Sequence, residues 1–147
     1  MITTNKSAYH NYTISKTFEA GLVLSGSEVK SIKKGQIDLK GAYITLNKNM
    51  EAFLINSYVA HYKPAKQEQI KYNPHQNRKI LLTKKELRYL IGKSREKGVA
   101  ILPLKIFVKN RLIKMEIGVG KGKKKFDKRE DIKKRDFDRR KMRSLRK

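Results

Sequence analysis

The sequence has no cysteine. That absence removes disulfides, thiolate nucleophiles and zinc–thiolate sites together, and it suits a reducing compartment. Histidine is almost as scarce, with His10, His61 and His75 scattered over 147 residues at no metal-ligand spacing, so neither a metal nor another cofactor is expected. No run of about 18 apolar residues occurs. No basic helix is backed by an apolar face that would lie in a membrane surface, so no membrane partner is expected. Met1-Ile2-Thr3-Thr4-Asn5-Lys6 lacks the apolar core of a signal peptide, and the expected location is the cytoplasm. Acids are few as well. Before residue 121 there are eight, Glu19, Glu28, Asp38, Glu51, Glu68, Glu86, Glu96 and Glu116, and Glu28 and Glu86 stand where helix caps need them. Nothing in the sequence brings His10 and His61 together, so no acid–base constellation forms. Gly118-Val119-Gly120-Lys121-Gly122-Lys123-Lys124 lacks the Walker order of strand, G-x-x-x-x-G-K-[ST] and helix. The chain is therefore expected not to be an enzyme and to take no small-molecule substrate.

What the chain has in excess is positive charge. Thirty-seven Lys and Arg against thirteen Asp and Glu give +24 and a pI near 10.3. Between Lys121 and Lys147 fifteen basic residues meet five acids, a net +10, which leaves the body at +14. A small domain carrying this much like charge is at ease beside phosphates that neutralise it and release their counterions, so nucleic acid is the expected partner. The last segment holds only Phe126, Ile132, Phe137, Met142 and Leu145 as apolar residues, and at helical spacing they form no stripe. It is expected to be disordered when free and to order on a polyanion. Glu130/Lys134, Asp131/Arg135 and Asp136/Arg140 add weak acid-first i,i+4 pairs that bias it toward helix. The chain thus divides into a body, residues 1–120, and a basic hinge and tail, residues 121–147.

Residues 9–24 mix β-branched, aromatic and polar residues and read as one long or bent strand with Gly21 as a bulge. Ser25-Gly26-Ser27-Glu28 has capping-box form and opens a short helix that Gly35 closes. Residues 42–46 and 51–57 read as a hairpin across Lys48-Asn49-Met50, with Asn49 left-handed. Periodicity then fails from Tyr58 to Asn77, a long connection. Arg78-Lys79-Ile80-Leu81-Leu82 is a short apolar run, and Thr83-Lys84-Lys85-Glu86 caps a second helix ending near Gly98. Strands 99–102, 104–108 and 112–120 follow, with Pro103 as an edge or kink and Asn110-Arg111 as a tight turn. Five or six strands, two or three short helices and no regular strand–helix alternation predict a mainly β fold, a small antiparallel barrel of the OB type. Tyr12, Tyr43, Phe53, Tyr58, Tyr89 and Phe107 are expected mainly in the core. Glu19, an acid between Phe18 and Ala20-Gly21, reads either as a surface ion-pair partner or as an acceptor for an unpaired RNA base. Lys30, Lys33 and Lys34 read either as a solvated helix face or as part of a phosphate track.

Asn5-Lys6-Ser7-Ala8, Phe18-Glu19-Ala20-Gly21, Gly26-Ser27-Glu28-Val29-Lys30-Ser31, Arg78-Lys79-Ile80-Leu81-Leu82 and Gly120-Lys121-Gly122-Lys123-Lys124 with Asp127-Lys128-Arg129 occur in this order. Together they resemble the bacterial SsrA-binding (small protein B) family, from Asn5 to about Arg140. The resemblance implies an OB-type barrel that binds the tRNA-like domain of transfer-messenger RNA (tmRNA) and delivers it to stalled ribosomes. It places Asn5, Glu19, Leu81, Lys114, Lys121, Lys123 and Lys124 at RNA-binding positions. Phe126, Asp127, Lys128, Arg129, Lys133 and Arg135 fall in a tail motif expected to enter the vacant mRNA channel near the small-subunit decoding centre and become helical there. Phe126 stands where the family often has His or Tyr, which keeps a stacking ring and leaves a polar contact there unsupported. The expected state is a monomer. The residues alone leave two rivals open: a structural ribosomal protein whose basic tail threads ribosomal RNA, and a small ribonuclease built on His10 and His61.

Overall fold

The computed structural model describes residues 1–62 and 72–123. In chain order these form β1 (Thr3–Thr4), α1 (Lys6–Asn11), β2 (Tyr12–Leu22), α2 (Gly26–Lys33), β3 (Ile37–Asp38), β4 (Tyr43–Leu46), β5 (Ala52–Ile55), β6 (Tyr58–Val59), β7 (Arg78–Leu81), α3 (Lys84–Ser94), β8 (Val99–Lys109) and β9 (Leu112–Gly122). Seven strands make one antiparallel sheet in the order β1-β8-β9-β2-β7-β5-β4, and β3 pairs with β6 apart from it. The far edge strand β4 comes round to lie against β8, so the sheet curls on itself into a barrel whose seam is packed rather than hydrogen-bonded. Ile32, Leu54, Leu90, Ile106, Met115, Ile117 and Val59 are fully buried in its interior. The six strands of four residues or more match the expected number; the two-residue strands β1, β3 and β6 were too short to show as alternation.

Several local expectations change. The long strand expected over residues 9–24 forms as β2, Tyr12–Leu22, while residues 9–11 belong to α1. Asn5 caps α1, its Oδ1 accepting from the Ala8 N–H at 3.3 Å, and Ala8 is buried against Leu102 and Leu104. The irregularity in β2 falls between Ile14 and Lys16 rather than at Gly21. In the β4–β5 loop the left-handed residue is Met50 (φ 57°), not Asn49. Asn47 Oδ1 accepts from the N–H groups of Asn49 and Glu51, both at 3.0 Å, and this side-chain turn moves the left-handed position one residue on. Part of the long connection after Tyr58 is ordered by β6 and by residues 72–77. Gly118 and Gly120 lie inside β9, where packing demands their lack of a side chain. A Cβ at Gly118 would sit 2.6 Å from Leu104 Cδ1, and one at Gly120 would sit 3.0 Å from Tyr12 Cβ. β9 continues through Lys121 and Gly122, which pair with Thr13 and Tyr12, so these two residues belong to the barrel. The Asn110-Arg111 turn is as expected, both residues having positive φ (51° and 66°), the geometry of a type I′ hairpin. Both capping boxes form, at Ser25/Glu28 and at Thr83/Glu86.

Glu28 has a second task. Its Oε2 accepts from Arg78 Nε at 2.7 Å, with both side chains buried. Arg78 Nη1 donates to Ser57 Oγ and Gln76 O, each at 2.9 Å, and Nη2 donates to Tyr72 Oη at 3.0 Å and Pro74 O at 2.9 Å. This network ties the start of β7 to α2 and to the return of the long loop, and it fixes where Leu81 emerges. Burial alone would raise the Glu28 carboxyl; the Ser25 N–H and the Arg78 guanidinium outweigh it and hold the group below the ordinary carboxylate value. Burial, with the Glu28 charge, pushes the Tyr72 hydroxyl up to about 12.

Candidate nucleic-acid interface

Alternation along a strand sends every second side chain outward, and register decides which outward residues meet. In β2, Ala20 is buried while Glu19 and Gly21 face out. Gly21 is opposite Lys114 of β9 on one side and opposite Leu81 of β7 on the other. Three strands therefore place Lys114, Gly21 and Leu81 in one row. With no side chain of its own, Gly21 leaves a shallow saddle over which Leu81 leans; a Cβ there would lie 3.4 Å from Leu81 Cβ. Leu81, the last residue of β7, is 53% exposed, and it counts as part of an apolar patch rather than alone. Val23 and Leu112 are exposed at the same end.

The next row joins Glu19 to Glu116, and Glu116 to Lys105. Lys109 Nζ lies 3.2 Å from Glu19 Oε2 and Lys105 Nζ lies 3.8 Å from Glu116 Oε2. Glu19 is thus both exposed and ion-paired, so the surface reading of the sequence holds for the free chain. Solvent-accessible pairs of this kind are worth little. Phe107 is opposite Lys114 on this same outward face. Of the six aromatics expected in the core, Tyr89 packs against the main cluster and Tyr12 against the Ala8/Leu102/Leu104 cluster, both half-buried, whereas Phe53 and Phe107 are half-buried outside these clusters and Tyr43 and Tyr58 are exposed. Strand alternation alone did not say which face was inward, because both faces of these strands carry apolar side chains.

The structure thus brings Glu19, Leu81 and Lys114 together and adds Phe107 and Glu116, which sequence reasoning passed over. The available signal was parity, since Phe107 lies two residues from Lys105 and Lys109 and Glu116 two from Lys114. Asn5 is elsewhere and is buried, its Nδ2 donating to Pro103 O at 2.8 Å. Lys121 is exposed near the end of β9, and the Lys123 N–H donates to Asn11 O at 2.9 Å. Lys124, Phe126, Asp127, Lys128, Arg129, Lys133 and Arg135 lie outside the described residues.

Lys30 on α2 and Lys34 at its C-cap place their ammonium groups 5.4 and 5.0 Å from the Tyr62 ring centroid, so these two are not simply solvated. The larger of the described clefts, about 600 Å³, opens along the β4–β8 seam between Tyr43–Leu46 and Val99–Leu102. Its lining carries no charged side chain, which suits phosphate poorly. His10 lies on α1 and His61 stands edge-on to Tyr72 beside β6. Among the described residues no group of three or more His, Cys, Asp or Glu could hold a metal, and no helix is long and apolar enough to cross a membrane.

A sequence profile of the SmpB protein family matches residues 2–147. The SsrA-binding protein of Persephonella marina is 49% identical over 139 residues, 95% of this chain and 90% of that protein. The SsrA-binding protein of Geobacillus kaustophilus is 44% identical over 139 residues, 95% of this chain and 88% of its own. A solved structure described as "tmRNA-SmpB: a journey to the center of the bacterial ribosome" aligns with a TM-score of 0.68 at 40% identity, covering 84% of this chain and 85% of that one.

Proposed function

The chain belongs to the SmpB protein family, and we propose on that footing that it is a non-enzymatic adaptor that binds the tRNA-like domain of tmRNA and carries it to ribosomes stalled for lack of message. In this reading the outward face of β7, β2, β9 and β8 grips the RNA. Lysines 105, 109 and 114 meet phosphates, while Leu81 and the Gly21 saddle admit bases and ribose that an unbroken row of lysines would exclude. The single observation that supports this reading most is the Lys114-Gly21-Leu81 row with Glu19 beside it. Residues far apart in sequence, which the family resemblance associates with RNA, become neighbours on one exposed surface. Asn5 contributes by holding α1 and β8 in place rather than by touching RNA. Residues 121–147, with net +10, are the ribosome-directed part. They enter the empty, phosphate-walled mRNA channel near the decoding centre and take helical shape there, so the tail reports that message is missing.

Deleting residues 127–147 tests this division of labour. Affinity for a transcript of the tRNA-like domain should stay within a few-fold of the full chain by gel shift, while tagging of stalled peptides in a reconstituted translation system should disappear. Tagging by the shortened chain would overturn the assignment of the tail.

A further inference from the structure

Thr17, Glu19, Glu116, Phe107 and the edge of Phe18 enclose a notch of about 260 Å³ on the outer face. Its composition runs against the rest of the molecule. Glu19 and Glu116 are directly opposite in the β2–β9 register, and like charges in that position cost stability. Among the described residues the compensation is two lysine contacts from β8, an exposed one from Lys109 and a longer, half-buried one from Lys105 at 3.8 Å, and such solvent-accessible pairs return little. Phe107 forms the facing wall, half-buried and outward, outside the hydrophobic core. A chain of net +24 has lysines to spare for phosphates. A ring beside two carboxylate acceptors instead repels phosphate and accepts a flat group rich in donors.

Resting on the RNA-binding reading above, we propose that this notch takes one unpaired guanine of the bound RNA, its ring against Phe107, its N1–H donating to Glu19 and its N2 amine to Glu116. Among the four bases guanine alone offers two adjacent donors on its Watson–Crick edge. Adenine and cytosine set a ring-nitrogen acceptor beside their amine, and uracil flanks its single N–H with two carbonyl oxygens, so each would turn an acceptor toward a carboxylate. Lys105 and Lys109 release the acids as the base arrives and turn to the phosphates on either side. Glu116 and Phe107 are then specificity-determining residues beside Glu19.

The experiment uses the full chain and transcripts of the tmRNA tRNA-like domain in which each unpaired guanine is replaced in turn by inosine, which keeps N1–H and lacks the N2 amine. One inosine position should weaken binding about tenfold, the usual order for one bidentate base contact, and the others should leave it unchanged. Glu116→Gln and Phe107→Leu should weaken binding to the unsubstituted RNA by a similar factor and become indifferent to that one inosine. Glu116→Gln also relieves a like-charge contact, so its melting temperature should equal or exceed the parent's, which separates loss of the site from loss of fold. A folded Glu116→Gln that binds as tightly as the parent, or that still discriminates the same inosine, overturns the proposal. So does an equal loss at every inosine. Failure of the parent chain to bind the unsubstituted transcript would instead overturn the reading on which the proposal rests, and it would show before any variant is made.

Discussion

Arg78 spends all five of its N–H groups on Glu28, Ser57, Gln76, Tyr72 and Pro74, which leaves nothing to water. A buried pair this complete is sensitive to losing one member, because the other is then an uncompensated charge in a poorly polar site. Arg78→Met should cost about 3–5 kcal/mol at pH 7, measured by urea unfolding. The pH dependence gives the sign. In the parent the Glu28 carboxyl is held below its ordinary value of 4.5, so its contribution is present above 4.5 and is lost as pH falls through the lower, folded value. In Arg78→Met burial acts unopposed by the guanidinium, the carboxyl rises, and protonation relieves the defect. The gap between variant and parent should narrow below pH 4.5. Tyr72 works from the other end: its hydroxyl is raised to about 12, so the stability it supplies holds below pH 10 and is lost as pH climbs through 12. A gap that stayed constant with pH would show that Glu28 is not the group left exposed to the loss. None of this was legible in the sequence. Glu28 was read as a cap, correctly, yet its partner stands 50 residues away, and no local pattern marks a strand arginine as buried.

At the scale of elements, legibility followed local chemistry. The helices at Gly26–Lys33 and Lys84–Ser94 were readable because each begins with a reciprocal side-chain cap, and the last hairpin because Asn110-Arg111 tolerates the left-handed region. The six-residue helix α1 was not readable. Its cap, Asn5, is held by Pro103 O, nearly a hundred residues on, and without that tertiary bond so short a helix has no stability of its own. The packing role of the β9 glycines was not readable either, because it depends on Leu104 and Tyr12 pressing on the strand. Asn5 therefore offers a test of elements rather than contacts. Asn5→Ala removes the cap and leaves Pro103 O without its donor, a loss of about 1–3 kcal/mol. Hydrogen exchange should quicken throughout Lys6–Asn11 and at Thr3–Thr4, with RNA affinity falling as a consequence. Unchanged exchange in α1 together with weaker RNA binding would mean that Asn5 acts on RNA directly.

For the molecule as a whole, composition and block order gave the fold class and the partner class: few acids, no cysteine, a +24 chain and several family-like blocks. The candidate face was only half legible. Glu19, Leu81 and Lys114 came through the family resemblance, but their meeting around Gly21 depends on β2 lying between β7 and β9, which pairs Gly21 with residues far along the chain on both sides. Phe107 and Glu116 enter only through that pairing, because the same register that unites the first three brings the fourth and fifth beside them. Charge is spread over several sides of the barrel, including Lys30, Lys33 and Lys34 on and just after α2, whereas exposed apolar surface, a ring and acceptor carboxylates coincide on one. That coincidence is the reason for choosing this face over the uncharged β4–β8 cleft and over the α2 lysines. Amide chemical-shift mapping of the labelled full chain during titration with the tRNA-like domain tests the choice most directly. The account predicts the largest shifts at Glu19, Gly21, Leu81, Phe107, Lys114 and Glu116. Shifts centred instead on Tyr43–Leu46 and Val99–Leu102, or on α2, with the Gly21 row unmoved, would contradict it.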